Sequence, residues 1–222
     1  MAVSGADWPK WRGPNGNGIT SETVDPAGWD KEGPRRLWKA KVGVGYASAV
    51  VSQGRLYTLG NVDKSDVATL WCLDAETGTN LWQRTWPSEL KPVMYDGGPN
   101  ATPVVDGDRL FAVIKPARVV CLEAATGKVI WEKDVQAELQ ADVSDWGIVG
   151  SPLIVDSHVI LNYGSNGTAL DKATGEVKWS TGKRGNSYNV PAMAQWGGEP
   201  AVMVLATNAL VALTLKDGKE QW

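Results

Sequence analysis

The residues able to do chemistry are few and scattered. The only histidine, His158, falls in a hairpin turn between two apolar runs. The two cysteines, Cys72 and Cys121, occupy the same position in two similar segments, each closing on a tryptophan. A structural zinc site needs four nitrogen or sulfur ligands, and a hydrolytic triad needs a histidine beside its nucleophile and acid. One isolated histidine supports neither. Equivalent positions on adjacent repeat units lie beyond the ~7 Å between α-carbons that a disulfide tolerates, so both cysteines read as small buried residues. Asp74, Asp106, Asp108, Asp156, Asp171 and Asp217 all sit in turns. Aspartate is favoured there because it bonds its own backbone. No catalytic residue and no metal site is assigned.

Binding chemistry gathers instead in the connecting segments. Tyr46, Tyr95, Asp96, Asn100, Asp142, Asp145, Trp146, Tyr188 and Asn189 mix aromatic rings with carboxylates and amides. Two of these segments, 82–103 and 131–152, are long, whereas the equivalent 179–191 is short. Rings and hydrogen-bonding groups around a central opening suit a protein or small ligand at the channel mouth. Tyr46, Asp96, Asn100, Trp146 and Tyr188 are the candidate ligand-binding residues. The competing reading is that these loops only plug the channel and pack the blade tops.

The elements that must position these loops are repeats. CLDAETGTNLW, CLEAATGKVIW, ALDKATGEVKW and ALTLKDGKEQW share one pattern of small residue, glycine and closing tryptophan. Their key residues are Cys72, Gly78 and Trp82; Cys121, Gly127 and Trp131; Ala169, Gly175 and Trp179; Ala212, Gly218 and Trp222. The tryptophans recur every forty-odd residues, and Trp38 extends the series backwards. That period suits four short strands per unit, the blade of a β-propeller. Asp106-Gly107-Asp108 between apolar runs is a hairpin signal, with Ser52-Gln53-Gly54, Asp156-Ser157-His158 and Gln195-Trp196-Gly197-Gly198 in the same place. The repeated glycines suit a left-handed turn. A lone four-stranded blade cannot bury both faces, so blades stack with the tryptophans packed between them. The expectation is an all-β propeller of four-stranded antiparallel blades, with about four blades over 36–222 and an N-terminal arm over 1–35.

Bulk properties narrow the partners. Net charge is −3 with no basic stripe, which argues against nucleic acid. No apolar run approaches the roughly 18 residues of a membrane span. The small-residue run Met1 to Ala6 reads equally as the remnant of a signal-cleavage site and as an ordinary disordered start.

The repeated segment resembles the tryptophan-docking motif of propellers named for pyrroloquinoline quinone (PQQ), through Asp74, Thr77, Gly78 and Trp82; Gly127, Lys128 and Trp131; and Asp171, Thr174, Gly175 and Trp179. Trp8-Pro9-Lys10-Trp11-Arg12-Gly13-Pro14-Asn15, Gly45-Tyr46-Ala47-Ser48 and 97–103 are similar to bacterial members of that family. The family spans quinoprotein dehydrogenases and non-catalytic, BamB-like scaffolds. The resemblance implies rings of about seven or eight blades, so four blades read as a partial or half ring. Leu37-Trp38-Lys39-Ala40 is then expected as an outermost strand without inner strands, and the fourth blade as cut short at Trp222. Self-association through open blade ends follows, either as paired half-rings or as aggregates. The resemblance also implies a periplasmic or extracytoplasmic location. The adjacent cysteine pair common in the dehydrogenases is missing, and no cofactor is identified. PQQ with Ca²⁺ belongs only to the alternative, a fragment of a PQQ-dependent alcohol or sugar dehydrogenase, with Trp146 as the indole under the quinone.

Overall fold

The computed structural model describes residues 5–23, 26–29, 31, 33–92, 95–185 and 187–222. The first four residues of the small-residue run, and Asn186 of the last loop, lie outside them. Each repeat folds into one antiparallel sheet whose strands follow chain order. Blade one holds β1 (Val50–Ser52), β2 (Arg55–Asn61), β3 (Val67–Asp74) and β4 (Asn80–Pro87). Blade two holds β5 (Val104–Asp106), β6 (Arg109–Ile114), β7 (Arg118–Glu123) and β8 (Val129–Asp134). A short helix, α1 (Val135–Leu139), follows, its first turn capped by Asp134. Blade three holds β9 (Leu153–Val155), β10 (His158–Leu161), β11 (Thr168–Asp171) and β12 (Val177–Ser180). Blade four has β13 (Ala192–Trp196), β14 (Glu199–Leu205) and β15 (Leu210–Thr214). Its fourth strand is reduced to the bridge between Leu213 and Glu220 and the pairing of Ala212 with Trp222 and Gln221. The four sheets form an unclosed array, a partial propeller.

The core lies in the seams between blades. One cluster joins Tyr57 and Trp82 to Leu110 and Leu122; a second joins Phe111 and Trp131 to Leu161 and Tyr163; a third joins Ile160 and Trp179 to Val202 and Leu213. The same joint recurs at each seam. Trp82 pairs across its hairpin with Cys72, Trp131 with Cys121 and Trp179 with Ala169. A small residue is needed opposite the indole because directly paired side chains share one face of the sheet. The ladder bulges immediately after each of these residues. The indole then reaches the next blade. Its N–H donates to the carbonyls of Ala75, Ala124, Lys172 and Leu215 from Trp38, Trp82, Trp131 and Trp179 respectively. The ring lies on the turn glycine of the receiving blade. A Cβ at Gly127 would stand 2.6 Å from the Trp82 ring, and the φ there is +67°. Both facts demand glycine.

Two expectations about the tryptophan series need correction. Leu37 to Ala40 forms no strand, although Trp38 docks on Gly78 and Ala75 like its counterparts. The docking survives because it needs only the indole, whereas a strand needs a ladder neighbour. Trp222 does not dock on a glycine turn: it is 53% exposed and stacks on Trp196, ring centroids 5.3 Å apart. Cys72 and Cys121 are free and buried, each within its own seam.

Candidate functional site

The loops at one end of the blades meet through their rings. Tyr46, between Trp38 and β1, stands edge-on to Tyr95 at 4.9 Å. Tyr95 lies 6.2 Å from Trp146, and Trp146 lies edge-on to Tyr188 at 5.3 Å. Four loops from successive blades thus contribute one ring each to a continuous row. Edge-to-face contacts of this length are favourable because the positive ring edge meets the negative ring face. Backbone bonds hold the row in register: Tyr46 and Ala47 both donate to the Pro99 carbonyl. Below it, Ser48 N–H donates to Thr102 Oγ1, and Thr102 N–H donates to Ser151 Oγ. Asn100 donates to the Tyr95 hydroxyl at 3.1 Å. Tyr188 and Tyr46 remain about half exposed. Of the five candidates, Tyr46, Trp146 and Tyr188 join the row, Asn100 braces it, and Asp96 is exposed outside the central cavity.

Two buried donors beneath the row have no acceptor among the described residues: the Trp146 indole N–H and the Lys115 ammonium. Lys115 is 5% exposed, at the end of β6, and a Cβ on Gly147 would stand 3.2 Å from its Cγ. Burial, reinforced by Lys91, holds the Lys115 amine below the ordinary lysine value, with Glu89 opposing. The neighbouring pair Lys91–Asp145 closes at 2.6 Å between the two long loops. It raises the lysine and lowers the carboxylate.

A cavity of about 760 Å³ opens inward of the row, along the innermost strands. Tyr46, Asn100, Tyr188 and Asn189 come to it from the loops, Val104 and Leu153 from β5 and β9. A further wall comes from the N-terminal segment, which sequence reasoning assigned no site. Trp8 pairs with Val51 of β1 in both directions, and Val105 of β5 donates to the Pro9 carbonyl. The segment is therefore an additional innermost element that brings Lys10, Trp11, Arg12 and Asn15 to the cavity. Among the described residues, no aspartate or glutamate lines the cavity. That lining does not fit a Ca²⁺ ion, which takes oxygen ligands rich in carboxylates. Trp146 is not part of the lining either, so the indole there is Trp11. The sequence signal for this wall was two cations flanking Trp11 just before Gly13-Pro14-Asn15-Gly16.

The opposite face carries a smaller cavity lined by Asp156, His158, Lys178 and Lys216. His158 is the first residue of β10 rather than part of the turn, because it pairs with Val155 around Asp156-Ser157. Burial and Lys178 hold its pKa down. Among the described residues, no three histidine, cysteine, aspartate or glutamate side chains converge as a metal site, and no helix is long and apolar enough to cross a membrane.

A family model for the outer membrane protein assembly factor BamB matches residues 23–99 and 83–222. The chain belongs to this PQQ-like repeat family. BamB from Moraxella catarrhalis has the same fold, with a TM-score of 0.59 and 21% identity over 84% of this chain. Quinohemoprotein alcohol dehydrogenases do too: ADHIIG from Pseudomonas putida HK5 (TM-score 0.57, 17% identity over 83%) and the enzyme from Comamonas testosteroni (0.56, 20% over 82%). The chain spans 50% of that BamB and 34% and 35% of the two dehydrogenases. No curated protein sequence matches it. BamB-family membership and dehydrogenase-like fold meet in one architecture, and the site residues must distinguish the roles.

Proposed function

We propose that this chain is a non-catalytic, extracytoplasmic propeller scaffold whose loop face binds a protein or small ligand. The row Tyr46–Tyr95–Trp146–Tyr188 carries the reading, because it assembles one ring from each of four loops into a single surface whose ends, Tyr46 and Tyr188, are about half exposed. Rings with polar tips are the side chains recognition surfaces favour. The cations that line the cavity among the described residues, Lys10 and Arg12, support a binding role over the dehydrogenase fragment. Membership in a family described by an outer-membrane assembly factor supports the location.

The test compares two sets of variants in cross-linking capture from a periplasmic extract. Changing Tyr46, Trp146 and Tyr188 to alanine is expected to abolish specific capture. Changing Asp106, Asp156 and His158 on the opposite face is expected to leave it intact. Equal effects from both sets overturn the loop-face assignment. Dye-linked alcohol oxidation with a retained quinone spectrum after adding PQQ and Ca²⁺ would overturn the non-catalytic reading.

Self-association belongs to the same proposal. The outer face of blade four presents Trp196, Leu205, Leu210 and Trp222 to solvent. Apolar surface of this kind invites a cover, here a second copy of the chain. A monodisperse monomer in light scattering would overturn this part.

A further inference from the structure

The central cavity has a charge pattern that the loop face alone does not explain. Among the described residues, the charged ones in its lining are Lys10 and Arg12, and both come from the N-terminal segment. This segment is built into the fold. Asp7 accepts from Ser52 Oγ and the Gln53 N–H, tying it to the β1–β2 turn, while Trp8 and Pro9 bond to β1 and β5. The chain then turns sharply. Gly13 has a φ of +80°, and a Cβ there would meet the Trp8 ring at 2.7 Å. Arg12 itself holds a left-handed φ of 62°, a conformation that a non-glycine residue adopts only when its surroundings impose it. Its guanidinium donates to the Asn17 carbonyl and lies over Gly18. Arg12 is thus positioned by the turn, and neither cation has a carboxylate partner among the described residues.

We propose that this cavity binds an acidic saccharide, with Lys10 and Arg12 holding its oxyanion groups. The proposal deepens the loop-face reading and rests on it, because Tyr46 and Tyr188 serve both. The lining decides the class. Guanidinium and ammonium groups free of carboxylates select carboxylate or sulfate, arginine through a paired fork of donors. Trp11, Tyr46 and Tyr188 are 44%, 56% and 48% exposed, offering flat apolar faces with polar edges. Such rings fit the C–H faces of a sugar, and Asn100 and Asn189 supply amides for its hydroxyls. An apolar ligand would cover the two cations without offering either an anionic partner, at a cost in free energy. The volume of about 760 Å³, open to solvent, admits an oligomer of a few rings.

Calorimetric titration at low salt with tri-galacturonate, a sulfated galactose trimer and the neutral galactose trimer tests this. The carboxylated or the sulfated sugar is expected to bind at least tenfold more tightly than the neutral one, and the preference between them identifies the anion. Binding should weaken steeply as salt is added. A Lys10→Ala/Arg12→Gln double variant is expected to lose at least tenfold in affinity, whereas Lys216→Ala on the opposite face loses nothing. Arg12→Gly relieves the turn while removing the cation; the same loss in that variant excludes misfolding as the cause. Equal affinity for acidic and neutral sugars, or no effect of the double variant, overturns the proposal. If no acidic sugar binds while the loop-face variants still lose capture, the ligand class is wrong and the scaffold reading stands.

Discussion

The seams between blades and the loop face at their ends are built on opposite rules. At a seam every part repeats: a small residue opposite the indole, a carbonyl receiving its N–H, a glycine beneath its ring. On the loop face the rings follow no such repeat. Tyr46, Tyr95, Trp146 and Tyr188 reach one row from loops of different length and sequence, and two buried donors there stay unpaired. The seams pair each docking indole N–H with a carbonyl and hold the array together. The loop face leaves Tyr46 and Tyr188 about half exposed and the two donors unpaired among the described residues. Departures from local consistency tend to collect at functional sites.

The largest effect should come from a seam. Trp131→Ala empties the space over Gly175 and leaves the Lys172 carbonyl with the Arg109 guanidinium alone. A loss of about 3–5 kcal/mol is expected in urea unfolding. Tyr188→Ala, on an exposed ring of the loop face, should stay within about 0.5 kcal/mol. Similar losses from both would break the contrast.

The seams also hide both thiols. Burial pushes Cys72 up to about 11, partly offset by Tyr57 and Arg55, and pushes Cys121 up to about 12, partly offset by Arg109. A folded pKa above the unfolded value near 9.0 means the folded state keeps protons that the unfolded chain releases. Their contribution is complete below pH 9 and is lost as pH rises through about 11 to 12. A thiol reagent at pH 8 should find nothing in the folded protein and both cysteines after unfolding without reductant. A reactive thiol in the folded state would show that a seam opens.

Legibility in the sequence divides along the same line. The seams were readable because Cys72, Gly78 and Trp82 recur as a unit, and repetition exposes a physical requirement. Asp74 was readable as structural, and it does accept from Thr77 and Glu76 within its turn, which lowers its pKa. Tyr46, Trp146 and Tyr188 were legible as loop aromatics, but not their contacts, because Tyr95 links them only once four loops are placed. Lys10 and Arg12 were hidden for a different reason. The pairing of Trp8 with Val51 spans distant parts of the chain and carries no periodic signal. Trp38 misled in one respect, since a docking indole implied a strand that the ladder does not extend to.

Lys115 offers the finest test of the contrast. It occupies the place in blade two that Asn61 takes in blade one, four residues beyond the aromatic that faces the cysteine. Asn61 donates to the carbonyls of Ser65 and Ser88 and serves the fold. Lys115 finds no acceptor among the described residues and is held below the ordinary lysine value by burial. A lysine with a depressed folded pKa costs stability while the unfolded chain is protonated, and that cost fades as pH rises from the folded pKa towards the unfolded value of 10.5. Lys115→Met keeps the volume and removes the amine. It is expected to raise stability at pH 7 by roughly 1 kcal/mol, because an unsatisfied buried donor disappears. The advantage over the parent should shrink at alkaline pH; the thiols cancel in that difference. The same variant should capture its partner more weakly, as expected where stability is given up for function. A destabilised Lys115→Met would mean that the amine serves the fold as Asn61 does, and the distinction between seam and loop face would not extend to this residue.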